Sequence, residues 1–393
     1  MIRAIIFRLH LSVAVAAGAV VLLLAATGAV LSLEETVTGL AGRRHFVAAE
    51  EGAERLAPEA IAAAVGFAAT SLRYRADPRV PVRVYEGRNR YARVDPYTGA
   101  VLGIGPGGLE RFFEAVHNWH RWFNVSGGSV RRARAVTGAV NAAFLFLLLT
   151  GPILWIPRPV TKRSLANVLR FRRGARGAWR DLNWHQVAGI WSVLPLTIIA
   201  VTGVATSYPA VAERVYPVVG GAVPVESWPG ATGVAAPGDA IGTEGTASEV
   251  EGEGGSDNSE RDTNHDLRAV LATAEAWVPE WRTLVLTLPR PDAGEVRVEV
   301  QRGRTGQPHG IGFLTVDAAT GAVREWASFA DDTPERRAQQ FLRYAHTGEY
   351  WGLGGQLLAG LFSLAAALMV WTGLSLAFRR LRRFVGLRRA RRG

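Results

Sequence analysis

Four stretches of this sequence carry no charged residue and are each long enough to cross a bilayer. They run from Leu11 to Leu33, Ala135 to Ile156, Val187 to Tyr208, and Trp351 to Phe378. These are about 23, 22, 22 and 28 residues, against the roughly 20 apolar residues a helix needs to span the hydrocarbon core. Lipid offers no hydrogen-bonding partner, so a spanning segment must satisfy its backbone internally. The fold class this implies is a membrane α-helical protein with four transmembrane helices.

The charges between the spans set the orientation. Arg3 and Arg8, the segment Pro157–Gln186 and the tail from Ala377 hold 18 of the 45 basic residues and one acid, Asp181, of the 34. That makes about +17 on these segments and about −6 on the rest of the chain, within a net charge of +11. The positive-inside rule places both termini and the middle loop in the cytoplasm. Arg131, Arg132 and Arg134 lie on the opposite side of the second span, but the loop after it outnumbers them. No basic surface is left for nucleic acid, so none is expected as a partner; the lipid bilayer is.

The 393 residues include no cysteine, which excludes a disulfide framework, a thiolate zinc site, a cysteine-ligated iron–sulfur cluster and covalent c-type haem. Met1–Arg8 followed by the first apolar run resembles a signal peptide. The run is long for that, and the repeat below argues that it is retained as a helix.

The expected order is therefore a cytoplasmic start with the first span (1–33), an outer segment (34–130), the second span (131–157), a basic cytoplasmic loop (158–186), the third span (187–208), an outer segment (209–350), the fourth span (351–378) and a basic cytoplasmic tail (379–393). Each outer segment contains a small α+β module. The first has a helical run at Pro58–Ala69, strands at Val80–Glu86 and Arg90–Asp95, and the turn Asp95-Pro96-Tyr97-Thr98-Gly99. The second has a helical run at His265–Trp277, strands at Leu284–Leu288, Glu295–Gln301 and Phe313–Asp317, and the turn Asp317-Ala318-Ala319-Thr320-Gly321. Both turns read as hairpins with glycine at positive φ. Pro229–Asp266 is rich in Gly, Ser and Glu without apolar periodicity and reads as a disordered insertion.

The chain repeats. Each span holds a Thr-Gly pair: Thr27-Gly28, Thr150-Gly151, Thr202-Gly203 and Thr372-Gly373. His10 precedes Thr27 by seventeen residues, and His185 precedes Thr202 by seventeen. His120 follows the first outer turn and His346 the second, each just before the next span. The unit of histidine, span, outer module, histidine, span thus occurs twice in tandem, which implies a pseudo-two-fold axis along the membrane normal. Such an axis pairs His10 with His185 at the inner side and His120 with His346 at the outer side. Two neutral imidazoles facing each other in an apolar four-helix setting suit the axial positions of a six-coordinate b-type haem. Two haems b, one per membrane side, are the expected cofactors, with these four histidines on the iron.

His117, three residues before His120 on the same helix face, has three open roles: ligand in place of His120, partner of a haem propionate, or a metal site with Glu114. It is carried as a cofactor-binding candidate beside the ligands. His45, His265 and His309 read as surface residues of outer loops. Trp119, Trp122, Trp184, Trp191, Tyr350 and Trp351 read as an interfacial aromatic belt, and the Thr-Gly pairs as devices for close helix packing. The glycines at 103, 105, 107 and 108 lack a βαβ setting and read as a loop. No nicotinamide, flavin or nucleotide motif is present, so electrons must come from a separate donor.

Several segments together resemble one family. They are Leu9-His10 leading to Thr27-Gly28, Asp95-Pro-Tyr-Thr-Gly, His120-Arg-Trp, Leu182-Asn-Trp-His185 with Gly189, Asp317-Ala-Ala-Thr-Gly, and His346-Thr-Gly-Glu-Tyr-Trp-Gly-Leu with Arg379-Arg380. The chain resembles the PepSY-associated transmembrane helix proteins, also known as iron-regulated membrane proteins. The resemblance implies a bacterial inner-membrane protein with two periplasmic PepSY-like modules. Some members resemble haem-containing reductases that release iron from ferric siderophores. Others are fused to cytoplasmic flavin reductase modules, absent here. The expected function is a ferric-siderophore-reductase-type oxidoreductase: electrons pass from an unidentified reductase or quinol, through two haems, to a periplasmic ferric siderophore or other ferric chelate. No catalytic residue is assigned. The alternative is a non-enzymatic membrane anchor whose PepSY-like modules bind an envelope protease or partner. That leaves the matched placement of His10 and His185 unexplained. A metal permease built on His117, His120 and Glu114 would lack intramembrane carboxylates along a cation path.

Overall fold

Four long helices carry the charge-free stretches, and each extends past them. In the computed structural model these are α1 (Ile2–Leu31), α5 (Ser129–Trp155), α7 (Gly177–Ser207) and α10 (Gly352–Ala390). The structure describes residues 1–48, 53–87, 90–157, 159–208, 211, 265–290, 293–304 and 307–390. The Pro229–Asp266 stretch, apart from His265 and Asp266, lies outside the described residues.

The described chain forms two units. The first is helical. α1 and α7 each pack against both α5 and α10, which makes a four-helix ring with α1 and α7 on one diagonal. Its interior holds Leu148, Leu196, Ala200, Ala366 and Met369, with Phe144 and Phe362 packed against them. Outward-facing apolar residues such as Leu149, Leu194, Leu361, Leu364 and Trp371 stay exposed, as side chains that meet lipid should. All four helices are long and apolar enough to cross a membrane. Three shorter helices lie against the ring: α4 (Gly108–Trp122) on α1, α6 (Lys162–Leu169) on α7, and α9 (Pro334–Thr347) on α7. α2 (Glu34–Gly42) follows α1.

The second unit is an antiparallel sheet with two helices, α3 (Pro58–Ala63) and α8 (Leu267–Trp277). Its strands are β1 (Ser71–Arg75), β2 (Val82–Glu86), β3 (Arg90–Val94), β4 (Val101–Ile104), β5 (Thr283–Thr287), β6 (Glu295–Gln301), β7 (Ile311–Asp317) and β8 (Val323–Ser328). Their order is β4-β3-β2-β1-β5-β6-β7-β8. The strands of the two outer segments therefore form one eight-stranded sheet. They join where β1 meets β5, with Leu72 opposite Leu286 and Tyr74 opposite Leu284. Alternate residues of each strand point to one face: Leu72, Val84, Val94, Leu286, Val298 and Leu314 bury there beneath Ile61, Val270 and Ala274 of the two helices. Period-two alternation over one covered face accounts for this sheet.

The two hairpin turns close as their sequences predict. Asp95 Oδ1 accepts from the backbone N–H of Tyr97 at 2.8 Å, and Gly99 sits at φ +75°. Asp317 Oδ1 accepts from the N–H groups of Ala319 and Thr320 at 3.1 and 2.9 Å, with Gly321 at φ +69°. The helix expected over Pro58–Ala69 ends at Ala63, three residues before Gly66.

Candidate functional site

The four histidines of the repeat pattern are delivered by four different helices. α1 carries His10 and α7 carries His185. α4 carries His117 and, in its last turn, His120, and α9 carries His346 in its last turn. The chain reverses sharply after both outer histidines. Phe123 and Asn124 stand at φ 51° and 58°, a left-handed conformation rarely adopted by non-glycine residues and costly wherever it persists. After His346 the reversal uses Gly348 at φ 79° and Gly352 at φ 63°. A side chain at Gly348 would collide with the backbone of Gly355. The His-Thr-Gly…Gly spacing is thus the tight corner between α9 and α10.

Each histidine Nδ1 meets the threonine of a Thr-Gly pair. His120 Nδ1 lies 2.8 Å from Thr27 Oγ1 and His10 Nδ1 lies 2.8 Å from Thr150 Oγ1. His346 Nδ1 lies 3.1 Å from Thr202 Oγ1 and 3.0 Å from the Ile199 carbonyl. His185 Nδ1 lies 2.9 Å from the Met369 carbonyl and 3.4 Å from Thr372 Oγ1.

These contacts determine the tautomers. A carbonyl only accepts, so Nδ1 of His185 and of His346 must carry the proton. Each threonine hydroxyl donates to the carbonyl four residues back: Thr27 to Leu23 at 2.7 Å, Thr150 to Phe146 at 2.8 Å, Thr202 to Ile198 at 2.8 Å and Thr372 to Leu368 at 2.8 Å. With its proton committed, the hydroxyl accepts from the imidazole. All four rings therefore hold their proton on Nδ1 and present Nε2 as the lone-pair nitrogen.

The glycine after three of the four threonines gives the ring room. A Cβ at Gly28, Gly203 or Gly373 would stand 3.4, 3.2 and 3.2 Å from Cε1 of His120, His346 and His185. At Gly151 nothing lies within 4 Å. Sequence reasoning read these pairs as packing devices. The structure makes the threonines hydrogen-bond partners of the histidines, a role whose signal was the occurrence of one such pair in every span.

The outer rings face each other: the centroids of His120 and His346 are 6.4 Å apart, with ring planes at 59°. Burial, chiefly, pushes the His120 imidazole down to about 3 and lowers that of His346 as well. Both rings are neutral at pH 7, as metal ligation requires. His10 and His185 lie within electrostatic range of each other at the other end of the ring.

His120 and His346 are two imidazoles that a single metal ion could take as ligands. Two imidazole–metal bonds of about 2 Å each, with each ring centroid roughly 1 Å behind its nitrogen, separate the centroids by about 6 Å. That matches the spacing of His120 and His346. Among the described residues no cluster of three or more His, Asp or Glu stands ready for a bare ion.

His117 is held elsewhere. Its Nε2 lies 2.6 Å from Glu34 Oε2 of α2, a carboxylate the sequence reading did not connect to it. Beside it, Gln356 Nε2 donates to Glu35 Oε2 at 3.0 Å. At the opposite end of the bundle the buried Asp181 accepts from Arg180 at 2.9 Å and Arg379 at 2.7 Å. Arg3 donates to the carbonyls of Leu154 and Ile156 that end α5, at 2.6 and 2.8 Å. Of the aromatic residues, Trp191 and Trp351 are exposed as a lipid-facing belt would be. Trp184 instead packs edge-on against Phe171.

The family model described as the PepSY-associated TM region matches residues 7–380. The chain belongs to this family. The match takes in all four helices of the ring, the sheet unit, the four histidines and the four threonines of the PepSY-associated protein. None of the curated proteins compared with it matches the chain.

Proposed function

We propose that this PepSY-associated protein is a di-haem b electron-transfer protein of a bacterial inner membrane that reduces a ferric chelate outside the cytoplasm. The observation that carries the reading is the facing pair His120 and His346, 6.4 Å apart, with both rings held by threonines in the Nδ1–H tautomer. His120 and His346 would hold one haem and His10 and His185 the other. Bound there, the haems supply one-electron transfer between the two membrane faces. The protein's own part is to present four neutral imidazoles, fix their tautomers and surround them with apolar helices.

The paired contacts support the tandem-repeat reading. α1 and α7 each bring an inner histidine to a neighbouring helix and receive an outer histidine on their own threonine. Charge supports the orientation: the basic ends and loop belong in the cytoplasm, which puts the sheet unit, built from two PepSY-like halves, in the periplasm. The acceptor chemistry is simple. Hard oxygen chelators hold Fe(III) tightly and Fe(II) weakly, so one electron delivered outside frees the metal from a siderophore. The electron comes from a separate reductase or quinol.

Purified from haem-replete cells, the protein should show a Soret band, a sharp α band on reduction, and about two haems per chain by pyridine haemochrome assay. A colourless, correctly folded preparation overturns the proposal and leaves the anchoring role.

A further inference from the structure

At the end of the bundle that carries His10 and His185, the loop after α6 and the first turns of α7 border an open cleft of about 500 Å³. It is lined by Phe171, Arg172, Arg173, Arg180 and Trp184, with backbone from Gly174 and Ala175. Three guanidinium groups line one cavity, where an anion seated among them offsets their mutual repulsion. Two of the three are steered by neighbours. Arg172 Nη2 donates to Asn167 Oδ1 at 2.7 Å, and Arg180 is paired with Asp181 and stacked over Trp184, its guanidinium carbon 5.3 Å from the ring centroid. Arg173 has no such partner among the described residues.

The cleft is a built feature. Asn183 is buried, with 5% of its surface exposed. Its Oδ1 accepts from Arg172 N–H at 2.9 Å, and its Nδ2 donates to the carbonyls of Asn167 and Arg170 at 2.8 and 3.1 Å. One side chain of α7 therefore clamps the loop that presents the arginines. Phe171 and Trp184 meet edge to face, 6.5 Å between centroids at 89°, and form an aromatic wall.

We propose that this cleft binds the phosphate group of an anionic ligand. Guanidinium forks match phosphate oxygens in pairs and stay charged at every physiological pH. A basic pocket between helices at the membrane surface takes anionic lipid headgroups, and the phosphate of a soluble nucleotide-type molecule offers the same oxygens. The inference stands apart from the haem reading, because it needs only the cleft.

The test uses the full chain in neutral detergent. In one arm, native mass spectrometry measures retention of phosphatidylglycerol against phosphatidylcholine; in the other, calorimetry measures pyrophosphate binding. Arg173→Gln, which breaks no contact, and Arg172→Gln/Arg173→Gln should weaken whichever ligand binds by about tenfold or more, as lost charge-assisted bonds do. Arg131→Gln/Arg132→Gln, with the same charge change elsewhere, should bind as the unaltered chain does. Retention of phosphatidylglycerol without pyrophosphate binding assigns the cleft to lipid; pyrophosphate binding assigns it to a soluble ligand. If neither binds, or if the cleft variants bind as tightly as the control, the proposal fails.

Discussion

Thr27 Oγ1 lies 2.8 Å from His120 Nδ1 while donating its own proton to the Leu23 carbonyl at 2.7 Å. With its proton committed to a helix carbonyl, the hydroxyl oxygen serves as the imidazole's acceptor. Removing such an orienting partner behind a metal ligand typically costs 10–100-fold in metal affinity. Thr27→Val keeps the shape and deletes the acceptor. It should lower haem occupancy at the outer site and shift its reduction potential while leaving the inner site intact, and Thr27→Ser should restore both. Redox titration of the α band resolves the two sites. An unchanged titration in Thr27→Val would show that the contact does not govern the ligand.

The histidines themselves separate the sites. His10→Ala or His185→Ala should reduce the haem content from about two per chain to about one and preserve the outer haem. His120→Ala or His346→Ala should do the reverse. Equal loss of both haems in all four variants, with the protein still folded, would refute the pairing across the bundle axis.

The glycines give a sharper contrast, because only three of the four touch a ring. A methyl group at Gly203 would sit 3.0 Å from Asn141 Nδ2 and 3.2 Å from His346 Cε1, so Gly203→Val should displace the imidazole and deplete the outer haem. Gly151 has nothing within 4 Å. Gly151→Ala should leave the spectrum unchanged and, in a helix interior, stabilise by up to about 1 kcal/mol. Spectra of the two variants side by side check this, and a spectral loss in Gly151→Ala counts against it.

Much of this was legible in the chain itself, for physical reasons that differ by element. The four spans announce themselves because lipid forbids charge, and the hairpins at Asp95 and Asp317 because an Asp side chain and a later glycine are what those turns require. The join between β1 and β5 was not legible. Ser71–Arg75 is five residues long with two arginines, and its partner lies more than 200 residues away. Spacing and symmetry singled out His120 and His346, whose ring centroids the fold brings to 6.4 Å. That His117 meets Glu34, and that each Thr-Gly pair receives a ring from another helix, depends on which helices meet, and no local pattern encodes that.

A buried charge ties the basic loop to the tail. Asp181 is 3% exposed and held between Arg180 and Arg379, whose side chains remain 45% and 43% exposed. The asymmetry predicts unequal costs. In Asp181→Asn the arginines can rehydrate, and the loss should be modest. In Arg180→Gln/Arg379→Gln a buried carboxylate is stranded, which costs about 3–5 kcal/mol. Thermal unfolding in one detergent should therefore rank the double variant well below Asp181→Asn; the opposite order would mean that Asp181 is hydrated in the folded protein.

Acid should weaken the sheet unit through Asp317. The Arg324 guanidinium, with the N–H and hydroxyl of Thr320, holds this carboxyl well below the usual carboxylate range. A depressed folded value means that the group stabilises the fold above its unfolded pKa of about 4 and that this contribution is lost as pH falls from there through the folded value. The equivalent pairing cannot form in Asp317→Asn, which accepts hydrogen bonds but carries no charge. Followed by far-UV circular dichroism between about pH 3 and pH 6, the unfolding midpoint of the unaltered chain should fall more steeply with acid than that of Asp317→Asn. Since Arg324 also reaches Glu295 at 3.5 Å, Glu295→Gln tests the assignment: it should leave the steep acid slope in place, and a slope flattened by Glu295→Gln instead would move the acid response to that carboxylate.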